Sequence, residues 1–181
     1  MAIRIPTPTP DLDSVPKVCV LFVEKKADLN AKWSGGLPPL FLAASRGSVE
    51  TCAMLLKIGA DPNFKDTYGR TPLEAPIMAP APKPKSSRVT ETCALLVEKS
   101  AYLNIKGSSG LPPLFLAASD GNAEICALLL KRSADPSFEM TNSRRGEIAY
   151  TAAFGAGHLE IRVLLRKRGY KLDFCFAKKI S

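Results

Sequence analysis

The chain of 181 residues is 46% hydrophobic and 23% charged, and it carries a formal charge of +8. That is the make-up of an ordinary globular domain of roughly 100–200 residues. No apolar run approaches the ~18 residues a membrane span needs, and a single histidine leaves no material for a His pair, a triad or a His-rich metal site.

Residues 6–10 alternate proline with threonine, and residues 1–10 lack the continuous apolar segment of a signal peptide. A flexible, extended lead-in is expected there. Residues 11–35 hold one helix and a turn, with Cys19 inside the helix. The next stretch, Gly36-Leu-Pro-Pro-Leu-Phe-Leu-Ala-Ala-Ser45, returns letter for letter at 110–119, a spacing of 74 residues. Residues 18–30 match 92–104 across the same spacing, so a long block has been duplicated in tandem.

A shorter period of 33 lies inside the block. Ala27-Asp-Leu-Asn30 recurs as Ala60-Asp-Pro-Asn63, and Gly36-Leu-Pro-Pro-Leu40 as Gly69-Arg-Thr-Pro-Leu73. Each copy has the same parts. A turn ends in glycine, and a proline pair or Thr-Pro opens a short apolar helix, since the first helical position needs no amide donor. A second, amphipathic helix follows; in it Val49, Cys52, Leu55 and Leu56 form one apolar stripe. Lys57 and Gly59 then supply a basic last turn and a terminator. One such hairpin cannot cover its own apolar face, whereas a row of them can.

The units run 36–68, 69–109, 110–145 and 146–181 after the half repeat at 11–35. In the second, Pro76 is expected to break the first helix early, and residues 80–87 form a Pro/Lys insertion without a P-x-x-P pair. A surface loop is the plain reading of that insertion, and a docking peptide the alternative. The last copy lacks the proline opener. Beyond it, Phe174, Cys175 and Phe176 read as an apolar lid on the final helix pair.

These residues resemble the ankyrin-repeat family. Gly69-Arg-Thr-Pro-Leu73 is similar to its Gly-x-Thr-Pro-Leu signature, and Leu40-Phe-Leu-Ala-Ala44 and Leu114-Phe-Leu-Ala-Ala118 to its Leu-His-x-Ala-Ala. Gly59-Ala-Asp-Pro-Asn63 is similar to its turn, and Gly157-His-Leu-Glu160 to the start of its second helix. The resemblance covers residues 14 to 174 and implies an all-α solenoid of stacked helical hairpins with β-turn-like connecting loops. Two copies depart from it, with Pro38/Phe41 and Pro112/Phe115 in place of the Thr and His that tie neighbouring turns. Aromatic packing is expected to replace the polar tie.

The resemblance also implies a function. Ankyrin proteins hold protein partners on the turn tips and the exposed, concave side of the first helices. Carried over position by position, this marks Trp33, Leu37 and Arg46, then Thr67, Tyr68, Arg70 and Met78, then Ser109, Leu111 and Asp120, then Arg144 and Arg145. Trp33, the only tryptophan, is either an anchor or a cover for the half repeat. Phe41 and Phe115 are expected to pack.

Chemistry-bearing residues read as structural. Cys19, Cys52, Cys93 and Cys126 occupy one place in successive copies. Helices stacked 8–10 Å apart hold such thiols beyond disulfide or zinc geometry, so they read as core residues. Unpaired cysteines suit a reducing compartment, cytoplasm or nucleus. Asp28, Asp61 and Asp135 are expected to satisfy turn amides, and His158 to start a helix. No phosphate loop or nucleophile elbow appears.

The expectation is therefore a non-enzymatic interaction module or adaptor: a monomer without cofactor, metal or small-molecule substrate, not bound to membrane. From residue 141 onward nine Lys/Arg face three Asp/Glu. This basic end is either a solubilising cap or a contact for an acidic or phosphate-rich partner. The second reading leaves open a component of a ribonucleoprotein or other nucleic-acid assembly. A pathogen effector on the same scaffold stays open too.

Overall fold

A computed structural model describes residues 28–32, 36–79, 86–105, 111–138 and 148–168. Its elements are helices, and no strand occurs among the described residues. In chain order they are α1 (Pro39–Ser45), α2 (Val49–Lys57), α3 (Glu74–Ile77), α4 (Ser86–Glu98), α5 (Pro113–Ser119), α6 (Ala123–Lys131), α7 (Ala149–Gly155) and α8 (Leu159–Lys167). The first helices α1, α3, α5 and α7 pack in one row, and the second helices α2, α4, α6 and α8 in another. Between the rows lies the core, one apolar layer per hairpin.

The helix starts follow the sequence. Pro38 and Pro112 sit extended (φ −68, ψ 153 and φ −73, ψ 153) because the proline after each disfavours the helical region, and Pro39 and Pro113 then open α1 and α5. In α3 the proline falls later. Pro76 has no N–H to give the carbonyl of Pro72, so the helix starts only at Glu74 and lasts four residues. Pro76 therefore lies inside the helix and delays its start, rather than breaking it early as expected. Without a proline opener, α7 is begun by Thr151, whose hydroxyl accepts from the Ile148 amide (3.0 Å). One boundary needs correction: Ser86 and Ser87 belong to α4 rather than to the insertion, which leaves 80–85, outside the described residues, between the hairpin's helices. In α4 Val89, Cys93 and Leu96 bury one face.

Three side-chain columns run through the stack. Leu55, Leu96, Leu129 and Leu165 are all but inaccessible to solvent. Each such burial stabilises the fold by about 1.5–3 kcal/mol. Cys52, Cys93 and Cys126 are fully buried free thiols, and the apolar surroundings push their pKa values up to about 12. Such thiols stay protonated and unreactive at neutral pH.

The third column is polar and lies on the turns. The side-chain oxygen of Asn30 accepts from the amide of Asp61 (3.0 Å), Asn63 from Tyr102 (2.7 Å) and Asn104 from Asp135 (2.8 Å). Asp28, Asp61 and Asp135 meanwhile take the amides of Asn30, Asn63 and Ser137, the turn role expected of them. Each asparagine thus stitches one hairpin to the next. On the outer row, Arg88–Glu50 (3.6 Å) and Arg132–Glu98 (3.3 Å) cross between helices, but their exposure keeps each to about 1 kcal/mol or less.

Candidate binding surface

The turn 66–70 is held by its own side chains. The buried carboxylate of Asp66 accepts from the amides of Tyr68 (2.9 Å) and Arg70 (2.8 Å) and from Arg70 Nε (2.7 Å), and it forms an ion pair with Arg70 Nη2 (2.7 Å). The guanidinium so fixed lies between two rings, 4.9 Å from the centroid of Phe41 and 5.0 Å from that of Tyr68. Cation–π attraction joins the ion pair in holding it there. The tip is also tied to the turn before it, because the Thr67 amide donates to the Gly36 carbonyl (3.1 Å). Gly36 has φ +73, and a Cβ there would overlap the Thr67 hydroxyl, so glycine lets the two turns close up.

This resolves the departures from the family pattern. Phe41 is buried and carries Arg70 on its face, so aromatic and cation–π packing does replace the polar tie in that copy. Phe115 is half-buried. Glu74 stands where the family has histidine and is wholly buried; its Oε2 accepts from the Thr71 amide (2.6 Å) and hydroxyl (3.0 Å), while Oε1 has no partner. Burial raises its pKa and Asp66 adds to the rise, against the Thr71 hydrogen bonds and Lys65. A carboxyl with a raised folded-state pKa gives its full stabilisation below the ordinary carboxylate range and loses it as pH rises through the folded value. Glu74→Gln is expected to melt higher than wild type at neutral pH, by about 1–3 kcal/mol of relieved desolvation, and to match it in acid. Parallel melts across that pH range check this; identical curves would show the carboxylate is solvated.

The second feature is a notch in the row of first helices. Because α3 is short, a shallow pocket of about 200 Å³ opens between α3 and α5, lined by Ile77, Met78, Leu116, Ser119 and Asp120. Met78 remains 39% exposed at its rim. Arg46 and Asp120 hold equivalent positions at the ends of α1 and α5, both exposed and opposite in sign.

The residues marked from sequence therefore separate into groups. Thr67, Tyr68 and Arg70 come together at one tip, with Tyr68 61% exposed and Arg70 largely engaged by Asp66. Met78 and Asp120 share the notch, and Arg46 lies one hairpin away on the same row. Leu37 and Leu111 are half-buried beside their prolines. Trp33, Ser109, Arg144 and Arg145 lie outside the described residues, as do the 80–85 insertion and the Phe174–Phe176 lid. Leu116, Ser119 and Ile77 went unmarked in the sequence, although Pro76 was a signal that a neighbouring helix would be exposed. His158 sits at the N-cap of α8 as expected. Its Nε2 also lies 3.3 Å from the Ser119 carbonyl, so that nitrogen carries the proton and bridges to the preceding hairpin.

Among the described residues no three His, Cys, Asp or Glu side chains converge as metal ligands, and no helix is long and apolar enough to cross a membrane. The family described as Ankyrin repeat matches residues 35–67 and 109–140, the two copies that share the repeated decapeptide. The chain is an ankyrin-repeat protein. It is 34% identical over 110 residues to human Rabankyrin-5, covering 61% of this chain and 9% of that protein. It is 44% identical over 50 residues to a putative ankyrin repeat protein of Rickettsia bellii (28% of this chain, 30% of the relative). It is 48% identical over 42 residues to mouse cyclin-dependent kinase 4 inhibitor B (23% and 32%). The chain spans about a tenth of the length of Rabankyrin-5. Ankyrin repeats are in general protein–protein interaction modules and non-catalytic.

Proposed function

We propose that this ankyrin-repeat chain is a non-enzymatic adaptor that grips a partner protein on its first-helix row and projecting turns. The notch beside Met78 carries this reading. It is a shallow recess with Ile77, Met78 and Leu116 in its walls, and just before it in the chain lies a tip whose exposed tyrosine packs against a fixed arginine. A preformed surface of this kind loses little entropy on binding, and Tyr and Arg are common anchors. One relative is named an inhibitor of a kinase, which fits a repeat that acts on another protein. Buried, protonated thiols suit a reducing interior, which supports the cytoplasm or nucleus as the proposed location. A resident adaptor and a pathogen effector would use the same surface.

A photo-crosslinking residue at Met78 is expected to capture the partner, and one at Tyr102, more exposed than Met78 but on the turn after α4, is not. Met78→Arg and Tyr68→Ala should each weaken binding of the captured partner by roughly ten-fold or more without altering the melt. Full affinity in both variants would remove the surface. A steep fall of affinity with salt would instead favour the nucleic-acid reading of the basic end.

A further inference from the structure

α8 repeats the pattern of the other second helices with two substitutions that change its chemistry. The stripe at i, i+3, i+4 and i+7 reads Ala123, Cys126, Ala127 and Leu130 in α6, which packs against α8 and buries Cys126 and Leu130. In α8 the same positions are Leu159, Arg162, Val163 and Arg166. Leu159 is 67% and Val163 52% exposed, and Phe154, also exposed, lies under the Arg162 guanidinium at 4.7 Å. Among the described residues no carboxylate pairs with Arg162 or Arg166, and Arg162 Nε is buried with no acceptor.

We infer that this outward stripe of α8, with Phe154, is a second docking surface, shaped for an acidic amphipathic helix of a partner protein. A covering ankyrin hairpin would require the cysteine and leucine found in α6, and Arg162 and Arg166 oppose that. Alternating apolar and basic side chains instead match a helix that presents leucines and glutamates along one face. A second copy brings the same basic stripe, and residues 169–181 carry three lysines against one aspartate, so neither supplies the missing charge. Nucleic acid would satisfy the arginines but leave Leu159 and Val163 exposed to no purpose. The surface is separate from the notch, so either can fail alone.

The test uses the full chain and a labelled synthetic helix with Leu and Glu on one face, beside its Glu→Lys counterpart, followed by fluorescence anisotropy. The acidic helix is expected to bind and the basic one not. Arg162→Glu with Arg166→Glu should weaken the acidic helix by ten-fold or more and confer binding of the basic one. Leu159→Ser with Val163→Ser should weaken both pairings. Met78→Arg should change nothing. Melts of each variant confirm folding, and the gained binding of the basic helix cannot come from an unfolded chain. The proposal is overturned if Arg168→Glu, on the opposite side of the helix end, weakens binding equally. It is also overturned if an RNA oligomer or anionic vesicles displace the helix at comparable concentration, or if the helix binds only after residues 170–181 are removed.

Discussion

Cys126→Arg is expected to cost on the order of 3–5 kcal/mol and to detach the last hairpin from the stack. The thiol is fully buried where α6 meets its neighbours, and a guanidinium there would lack both water and a carboxylate. A repeat array holds together through neighbour interfaces, and total stabilities of ~5–15 kcal/mol leave little reserve. Hydrogen exchange should therefore show α7 and α8 losing protection before α1 and α2, and urea melts should broaden. The same residue type is already tolerated one step along the column. Arg162 lies at that place in α8, half-exposed, with its guanidinium over Phe154. Arg162→Cys should move stability by only about 1 kcal/mol in either direction. A Cys126→Arg chain that melts with wild type would show that α8 does not cover α6.

Much of the fold is legible because it is written more than once. The repeated Pro-Pro pair fixes where α1 and α5 begin, and the recurring cysteine and leucine positions place the core before any coordinates exist. Pro76 likewise announces the short α3. What resists reading is contact between copies. Nothing local tells that Arg70 belongs to Phe41, 29 positions earlier, since the family pattern offers histidine and threonine there and this chain has neither. The notch has the same character: Met78 could be marked by analogy, but its walls come from Leu116 and Ser119 of the next copy. The asparagine stitches were legible in principle, as Asn30, Asn63 and Asn104 recur in register, yet their acceptor role depends on how closely the turns approach.

That dependence ties the proposed binding surface to the stack. The tip at 66–70 is ordered by its own carboxylate and by the Gly36 carbonyl of the preceding turn, while the notch exists only between neighbouring first helices. Loosening the step between two hairpins is therefore expected to alter the proposed surface without touching its residues. The notch and the arginine-bearing stripe rest on substitutions in one copy each.

The step between the third and fourth copies can be measured directly. Gly121 and Gly157 hold equivalent places with nearly equal φ, +78 and +77. A Cβ on Gly121 would come within 2.5 Å of the His158 ring, whereas one on Gly157 meets nothing within 4 Å. Gly157→Ala should thus cost only the backbone term, about 1–2 kcal/mol. Gly121→Ala should cost that plus an overpacking term, about 2–4 kcal/mol together and a fall in Tm of roughly 5–15 °C for a chain of this size. His158→Ala alone should lose about 1 kcal/mol with its hydrogen bond to Ser119. Combined, Gly121→Ala and His158→Ala should cost less than their sum by about 1–2 kcal/mol, because removing the ring removes the overlap. Gly157→Ala with His158→Ala should show no comparable relief. Residues 37 apart can couple in this way only if α5 and α7 are neighbours with His158 leaning back on Gly121. Strict additivity at the Gly121 pair would place the last hairpin elsewhere, and the α8 stripe with it.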